Sequence, residues 1–408
     1  MVNTDLKRTG SSVFAEICAV LLTIYIHWSY IKLVNNKLLL LLIFAFAMLN
    51  FLFKNKMLIR WDPYQTVFIV LIIYSCIGSV YSRDMMAGVR FLLQLVLAFG
   101  IYLITLNDLP FLQVALRWIT ISGVVSVAAI LLQIAFPVQM LMICERLVKP
   151  AAYEMTVVLF SFGYYSGLSG LNFLAGFNSA ALMGICFVKG LKATSKSKRI
   201  VNYMIAIISL FALISTQKRG VLVAAAIAIF VTLVYYFWGQ SNMKKLTQMI
   251  IIMCVIALLF FGVMTNTEPG IRMLKRSTVY EDISSGRFDR YQSILSNMEG
   301  KYFFGYGTGS MMVGFGNDAH NIYLQILYDH GFLGLMVYLV FFGMPLFSCL
   351  KKNRKDDTSG FMLISLFVQV LFLCYGFFGN PLYDYCLFVF YLLAVSAMNV
   401  RQEEMKLA

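Results

Sequence analysis

Charged residues are scarce in this chain. Asp, Glu, Lys and Arg make up only 13% of its 408 residues, whereas 60% are hydrophobic. A soluble domain carries about twice that charged fraction, so the composition excludes an ordinary soluble protein. The mean hydropathy of +0.79 is typical of a polytopic membrane protein. We therefore predict an all-α membrane fold with most of its mass in the bilayer.

Several chemical signatures are also missing. The eight cysteines form no Cys-x-x-Cys pair and no Cys/His cluster, so neither a disulfide framework nor a zinc site is predicted. No Asp-x-Asp motif is present, which removes the support for a nucleotide-sugar enzyme that holds a metal through that motif. We accordingly expect no metal and no cofactor.

The net charge of +14 is explained by basic residues in the loops between apolar segments rather than by nucleic-acid binding. Basic residues cluster between apolar segments, and every cluster falls on one side if the segments alternate. The clusters are Lys7 and Arg8; Lys54, Lys56 and Arg60; Lys189, Lys192, Lys196, Lys198 and Arg199; Lys244 and Lys245; Lys351, Lys352, Arg354 and Lys355. The positive-inside rule makes that side the cytoplasm. Both termini are then cytoplasmic, and we predict a membrane location without a nucleic-acid partner.

About twelve apolar segments approach the roughly 20 residues that a membrane span requires. They are 12–31, 38–53, 64–82, 86–105, 113–136, 172–188, 200–216, 220–238, 246–264, 331–350, 360–378 and 385–400. The predicted organisation is N-terminal membrane helices (1–136), an external loop (137–171), central membrane helices (172–264), a second external loop (265–330) and C-terminal membrane helices (331–408).

The second external loop and the start of the next span contain an ordered series of motifs. Two arginines come first, followed by a Gly-x-Gly-x-Gly, a His-Asn pair and an acid-x-Gly. The residues are Arg287, Arg290 and Tyr291; Gly305, Gly307 and Gly309; His320 and Asn321; Asp329 and Gly331. The glycines are neither preceded by a strand nor followed by Gly-Lys-Ser/Thr, so they predict a tight turn rather than a nucleotide site.

This series resembles the signature region of the O-antigen polymerase and O-antigen ligase superfamily, and Ser215, Arg219 and Gly220 loosely fit its Ser-x-x-Arg-Gly segment. The resemblance covers roughly the C-terminal half of the chain. It implies a glycosyltransferase of the GT-C-like kind that uses an undecaprenyl-pyrophosphate-linked oligosaccharide donor and acceptor on the outer leaflet of the bilayer. A chain-length regulator is a further expected partner.

The resemblance also implies roles for individual residues. Arg219 and Arg287 would bind the pyrophosphate, and His320 would act as the catalytic base in a metal-independent, inverting transfer. Gly305, Gly307, Arg290 and Asn321 are expected to support the site. The family more often has Glu where this chain has Asp329, so a supporting role for Asp329 is carried over only as an expectation.

Each residue also has a simpler explanation. Arg219 could be a membrane-edge arginine that extends towards the interface. Arg287 and Arg290, three apart on one helix face, could be solvated charges, and His320 could be a structural surface histidine. His27 is predicted to be a packed core residue, and His330 a helix cap.

Three classes of function follow. The first is a polymerase of surface-polysaccharide repeat units (capsule, exopolysaccharide or O-antigen), favoured over a ligase to lipid A core because the Lys-, Ile- and Phe-rich composition suits a low-GC bacterium. The second is a flippase or other transporter, which would need polar residues converging at mid-membrane. The third is a scaffold of the division machinery, which would need neither His320 nor the paired arginines.

Overall fold

The computed structural model describes residues 13–53, 61–105, 109–237, 243–279, 286–351 and 360–399, and these are helical without any strand. Their helices are α1 (Val13–Trp28), α2 (Asn36–Phe53), α3 (Pro63–Val80), α4 (Met85–Thr105), α5 (Leu109–Ala135), α6 (Pro137–Leu147), α7 (Pro150–Ser161), α8 (Asn172–Lys192), α9 (Lys196–Ser215), α10 (Arg219–Phe237), α11 (Met243–Asn266), α12 (Glu268–Val279), α13 (Arg287–Ser296), α14 (Met311–Phe315), α15 (Ile322–Lys351), α16 (Phe361–Tyr375) and α17 (Tyr385–Asn399). The predicted all-α membrane fold is confirmed.

Within the described residues, each of the twelve predicted apolar segments overlaps a helix. Seven helices in the part of the chain that the structure describes are long and apolar enough to cross a membrane, and α11 with α12 forms a pair, bent by 86°, that would make an eighth if the pair is one span. The shorter apolar helices are α1, α2, α16 and α17. Together they account for the twelve segments. The number that crosses the bilayer, and their orientation, remain predictions; Lys7, Arg8, Lys54, Lys56, Arg60, Lys352, Arg354 and Lys355 lie outside the described residues.

Two segments differ from the prediction. Residues 137–171, expected as a loop, contain α6 and α7, and both helices begin with a proline, which is favoured at the first helical position. The helix expected from residue 331 begins at Ile322 and continues through a kink at Gly331, whose φ is 65°. The polar residues Asp329 and His330 are fully buried in it, so hydropathy alone places its start too late.

Aromatic side chains join the N-terminal and C-terminal helices in the core. Phe68 of α3 packs against Phe341 of α15 with ring centroids 4.9 Å apart, and Phe372 of α16 against Tyr391 of α17 at 4.6 Å. All four rings are buried. Dispersion contacts and close helix packing dominate stability within a bilayer, because lipid is as apolar as these side chains. This aromatic core holds the helices together, and the candidate site lies at the ends of helices.

Candidate functional site

A tight turn between α9 and α10 places Lys218 and Arg219. Gln217 has a left-handed backbone with φ of 58°, which is uncommon for a residue with a side chain. Its amide nitrogen Nε2 donates to the carbonyl of Pro269, 2.7 Å away, at the corner between α11 and α12. A Cβ added at Gly176 of α8 would lie 3.3 Å from the Cβ of Lys218. The turn is thus held by two other elements, and Arg219 begins α10.

Arg287 faces the same space from another part of the chain. It begins α13, directly after Gly286, whose φ is 76°. Lys218, Arg219 and Arg287 together line a cavity of about 490 Å³, which we call the cationic cavity. Its aromatic lining residues are Tyr164, Phe288, Tyr291, Tyr375, Phe377 and Phe378. The structure therefore brings together the two arginines that the sequence analysis selected, together with Lys218, which it did not.

His320 lies beside this cavity rather than among its lining residues. The hydroxyl of Tyr291 is 3.5 Å from the carbonyl oxygens of His320 and of Phe377, a cavity residue. Arg290 Nη1 donates to the carbonyl of Asp318 at 2.9 Å, so Arg290 holds the segment that leads to His320. His320 itself is exposed and has a left-handed backbone with φ of 53°. Strained backbone of this kind is often found at functional sites.

The surroundings of His320 favour the neutral form of its ring by lowering its pKa. Desolvation and then the positive charge of Arg287 lower its pKa, with smaller effects of Arg290 and Lys218 in the same direction, whereas Asp318 raises it. A pKa below the usual 6.5 leaves an imidazole that can accept a proton at neutral pH. The geometry is therefore compatible with a general base, the role that the resemblance implies.

Asn321 and Asp329 organise the backbone around His320. The Asn321 side-chain oxygen accepts hydrogen bonds from the backbone N–H groups of Tyr323 and Leu324, at 3.0 and 3.1 Å, and so caps the start of α15. Asp329 is fully buried and accepts from the N–H groups of Gly309 and Met311 and from the Tyr383 hydroxyl, at 3.2, 3.0 and 3.1 Å. Asp329 therefore anchors the loop rather than facing the cationic cavity.

The glycine turn, residues 305–309, packs against backbone on two sides. A Cβ added at Gly305 would lie 2.6 Å from the Asp329 carbonyl, and one at Gly307 would lie 2.4 Å from Ser82 Cα, between α3 and α4. Both glycines have left-handed backbone, with φ of 71° and 96°. None of the three glycines lines the cationic cavity. They give the loop its shape by permitting close approach of backbone.

Two charged residues that the sequence analysis did not select, Lys218 in the cavity and Asp384, influence each other's pKa. Burial and the charge of Arg287 lower the pKa of Lys218 to about 8, while Asp384 opposes them. Burial, then the charge of Asp318, raises the pKa of Asp384 to about 7, while Lys218 opposes them. Lys218 could have been selected because it precedes Arg219 in the sequence, but no sequence signal marks Asp384, which comes near only through the packing of α17.

An apolar groove adjoins the cationic cavity. It has a volume of about 320 Å³ and is lined by residues that include Leu210, Leu222, Val223, Phe230, Met253 and Phe260, from α9, α10 and α11. Val223 lines both spaces. An apolar surface that continues from a cationic cavity suits a ligand with a hydrocarbon chain and an anionic head.

The other two histidines have no place in this site. His27 is buried in α1, with its Nδ1 3.4 Å from the carbonyl of Thr23, in agreement with the prediction of a core residue. His330 is fully buried in α15, between the rings of Tyr74 and Tyr338, and its ring nitrogens have no hydrogen-bond partner among the described residues. It does not cap a helix as predicted, because α15 continues through it.

The fold and the cavity define a multi-pass membrane protein with a cationic site at its helix ends. Residues 204–339, about a third of the chain, match the family model described as O-Antigen ligase. This range contains Arg219, Arg287 and His320, and the match confirms the predicted resemblance to the O-antigen polymerase and ligase superfamily. Over this range the chain is similar to membrane enzymes of the O-antigen ligase or polymerase type. No curated protein matches it.

Proposed function

We propose that the protein polymerises oligosaccharide repeat units carried on undecaprenyl pyrophosphate, at the outer leaflet of the bacterial cytoplasmic membrane. The observation that carries the proposal is that Arg219 and Arg287, from distant parts of the chain, line one cavity that adjoins an apolar groove. The arginines suit a pyrophosphate group, and the groove suits a polyprenyl chain.

In the proposed reaction the two guanidinium groups bind the donor pyrophosphate through paired, charge-assisted hydrogen bonds. The hydroxyl oxygen of the acceptor sugar attacks the anomeric carbon from the face opposite the leaving group, and the carbon–oxygen bond to the pyrophosphate breaks. The hydroxyl proton passes to His320, and undecaprenyl pyrophosphate leaves. The arginines stabilise the negative charge that grows on it, and the anomeric centre is inverted.

The second candidate is a ligase, which would use the same donor chemistry but transfer the polysaccharide to lipid A core. The description of the matched family, O-Antigen ligase, favours this alternative. The two enzymes differ in the acceptor alone, so a test of the proposal must identify the acceptor. A transporter is less well supported, because the cations lie at helix ends rather than at mid-membrane.

A strain that carries His320→Ala as its only copy of the protein separates these functions. A polymerase defect leaves single lipid-linked repeats on the outer leaflet and no long chains. A ligase defect leaves long lipid-linked chains unattached, and a transport defect keeps the lipid-linked units in the inner leaflet. Normal chain length and attachment at normal protein level would refute the proposal.

Orientation is tested by labelling cysteines from outside intact cells, in a background where the exposed native residues Cys76 and Cys254 are serine. Glu299 is exposed in the second external segment, and Lys196 is exposed at the start of α9. We expect Glu299→Cys to react and Lys196→Cys to remain unlabelled until the cells are permeabilised. The opposite pattern would place the cationic cavity on the cytoplasmic side.

A further inference from the structure

Lys218 occupies a distinctive position in the cationic cavity. Its side chain lines the cavity together with Arg219 and Arg287, and its stem packs beside Gly176 of α8. Among the described residues, its ammonium group donates no hydrogen bond. A lysine that only marked the membrane edge would extend into the aqueous interface, whereas this one is partly buried in a cavity with two other cations.

The positive charge of Arg287 acts on Lys218, and like charges repel one another in a partly desolvated space, so a bound anion would stabilise both side chains. The fixed charges of Arg219 and Arg287 cannot be relieved by loss of a proton. The turn that carries Lys218 is held by Gln217, so the lysine cannot easily move away. The arrangement therefore favours a ligand with more than one negative charge.

Asp384 supplies a carboxyl group near Lys218, at the start of α17. It is not among the residues that line the cavity, but its charge acts on Lys218 and that of Lys218 acts on Asp384. The other charged or titratable groups that act with Lys218 are Arg287 and His320, and Arg219 is its neighbour in the chain. Asp384 is the acidic group among them that favours the protonated lysine.

We propose that Lys218 is a third phosphate-binding residue of the cationic cavity, which it lines together with Arg219 and Arg287. The inference rests on the proposed function and deepens it. The two arginines would bind phosphate oxygens in pairs, while the lysine would add a point charge that does not require a fixed geometry.

The test is the binding of undecaprenyl pyrophosphate, with undecaprenol as the uncharged probe, to the purified full-length protein in lipid nanodiscs. Lys218→Met keeps the apolar stem beside Gly176 and removes the charge. Loss of one charge-assisted contact predicts affinity for the pyrophosphate about 10- to 100-fold weaker, with unchanged affinity for undecaprenol. Lys218→Arg should restore pyrophosphate binding.

The pH profile of binding distinguishes a charged contact from a structural role of Lys218. The affinity of the native protein should fall as pH rises through about 8, where Lys218 loses its proton. Lys218→Arg should abolish this fall, because the guanidinium group keeps its proton over the same pH range.

The outcomes separate this inference from the proposed function. Native-like pyrophosphate affinity in Lys218→Met, with binding lost in Arg287→Ala, would refute the role of Lys218 and leave the proposed function intact. Unchanged affinity in both variants would refute the proposed function itself.

Discussion

The cationic cavity and the glycine turn both contain residues of the motif series, yet their polar groups are in opposite situations. In the cavity, Lys218, Arg219 and Arg287 gather charges of one sign around open space. In the turn, the buried carboxylate of Asp329 has three hydrogen-bond donors, and the glycines lie against backbone. The cavity is suited to an anionic ligand, whereas the carboxylate in the turn already has its hydrogen-bond donors.

This difference separates the residues of the motif series into two groups, those that bind or react and those that hold the framework. Charged residues that line open space are candidates for binding and reaction, while buried polar residues that are hydrogen-bonded to the backbone hold the framework. Substitutions in the cavity should therefore lower activity without unfolding the protein. Substitutions in the turn should lower stability first, and activity only as a consequence.

The largest effect is expected from His320→Ala. A positioned general base contributes about 10²- to 10⁴-fold in rate, so turnover of purified lipid-linked repeat units should fall by that factor. The side chain is exposed, so the melting temperature in detergent should not change. A lower melting temperature with normal turnover per folded molecule would place His320 with the framework instead.

The pH dependence of the native enzyme sharpens this prediction. A general base must be neutral, so kcat/KM should fall as pH decreases through the pKa of His320. Because desolvation and Arg287 lower that pKa below 6.5, activity should persist at pH 6.5 and be lost only at lower pH. A loss centred above 6.5 would indicate a different base.

Arg287→Lys should give the next largest effect. Lysine keeps the charge but lacks the planar fork that binds two phosphate oxygens, and loss of one such contact predicts turnover about 10- to 100-fold lower. Arg272→Lys is the matched control, because Arg272 forms an exposed ion pair with Glu268 on α12. Equal, nearly full activity of both variants would reduce Arg287 to a solvated surface charge.

Much of this comparison could be predicted from the sequence, and the remainder could not. Hydropathy locates the twelve apolar helices, and the motif series selects Arg219, Arg287 and His320. The motif series does not show which residues line the cavity and which hold the framework. The position of Asp329 depends on the Tyr383 hydroxyl and on a backbone N–H group of the glycine turn. Lys218 and Asp384 are far apart in the sequence and influence each other only in the folded chain, which no local pattern records.

Asp329→Asn tests the prediction that Asp329 belongs to the framework that holds the glycine turn. The amide retains one acceptor oxygen but presents an NH₂ group to backbone N–H groups, so at least one buried donor loses its partner. Hydrogen bonds to charged groups contribute about 1.5–3 kcal/mol each, and we expect a loss of stability of about 2–3 kcal/mol in thermal unfolding.

Asp289→Asn on the exposed face of α13 is the control and should change stability by less than about 0.5 kcal/mol. Undiminished stability of Asp329→Asn together with lost turnover would place Asp329 in the reaction, where its position in the motif first suggested a supporting role.

The smallest effect is expected from Asn321, which adjoins His320 in the sequence but belongs to the framework. Its side chain caps α15 through the N–H groups of Tyr323 and Leu324, and replacing such a cap by alanine costs about 1 kcal/mol. Asn321→Ala should lower the melting temperature slightly and turnover only a few-fold, since the carbonyl of His320 keeps its contact with Tyr291.

Asn321→Asp decides between the two explanations of this residue. Aspartate caps a helix as well as asparagine does, so a framework role predicts native stability and near-native turnover. If Asn321 instead donated a hydrogen bond to the acceptor sugar, aspartate would lose that donor and place a negative charge beside the donor pyrophosphate. Turnover would then fall while stability stayed normal. Asn321 would in that case belong with His320 among the residues that act on the substrate, and not to the framework.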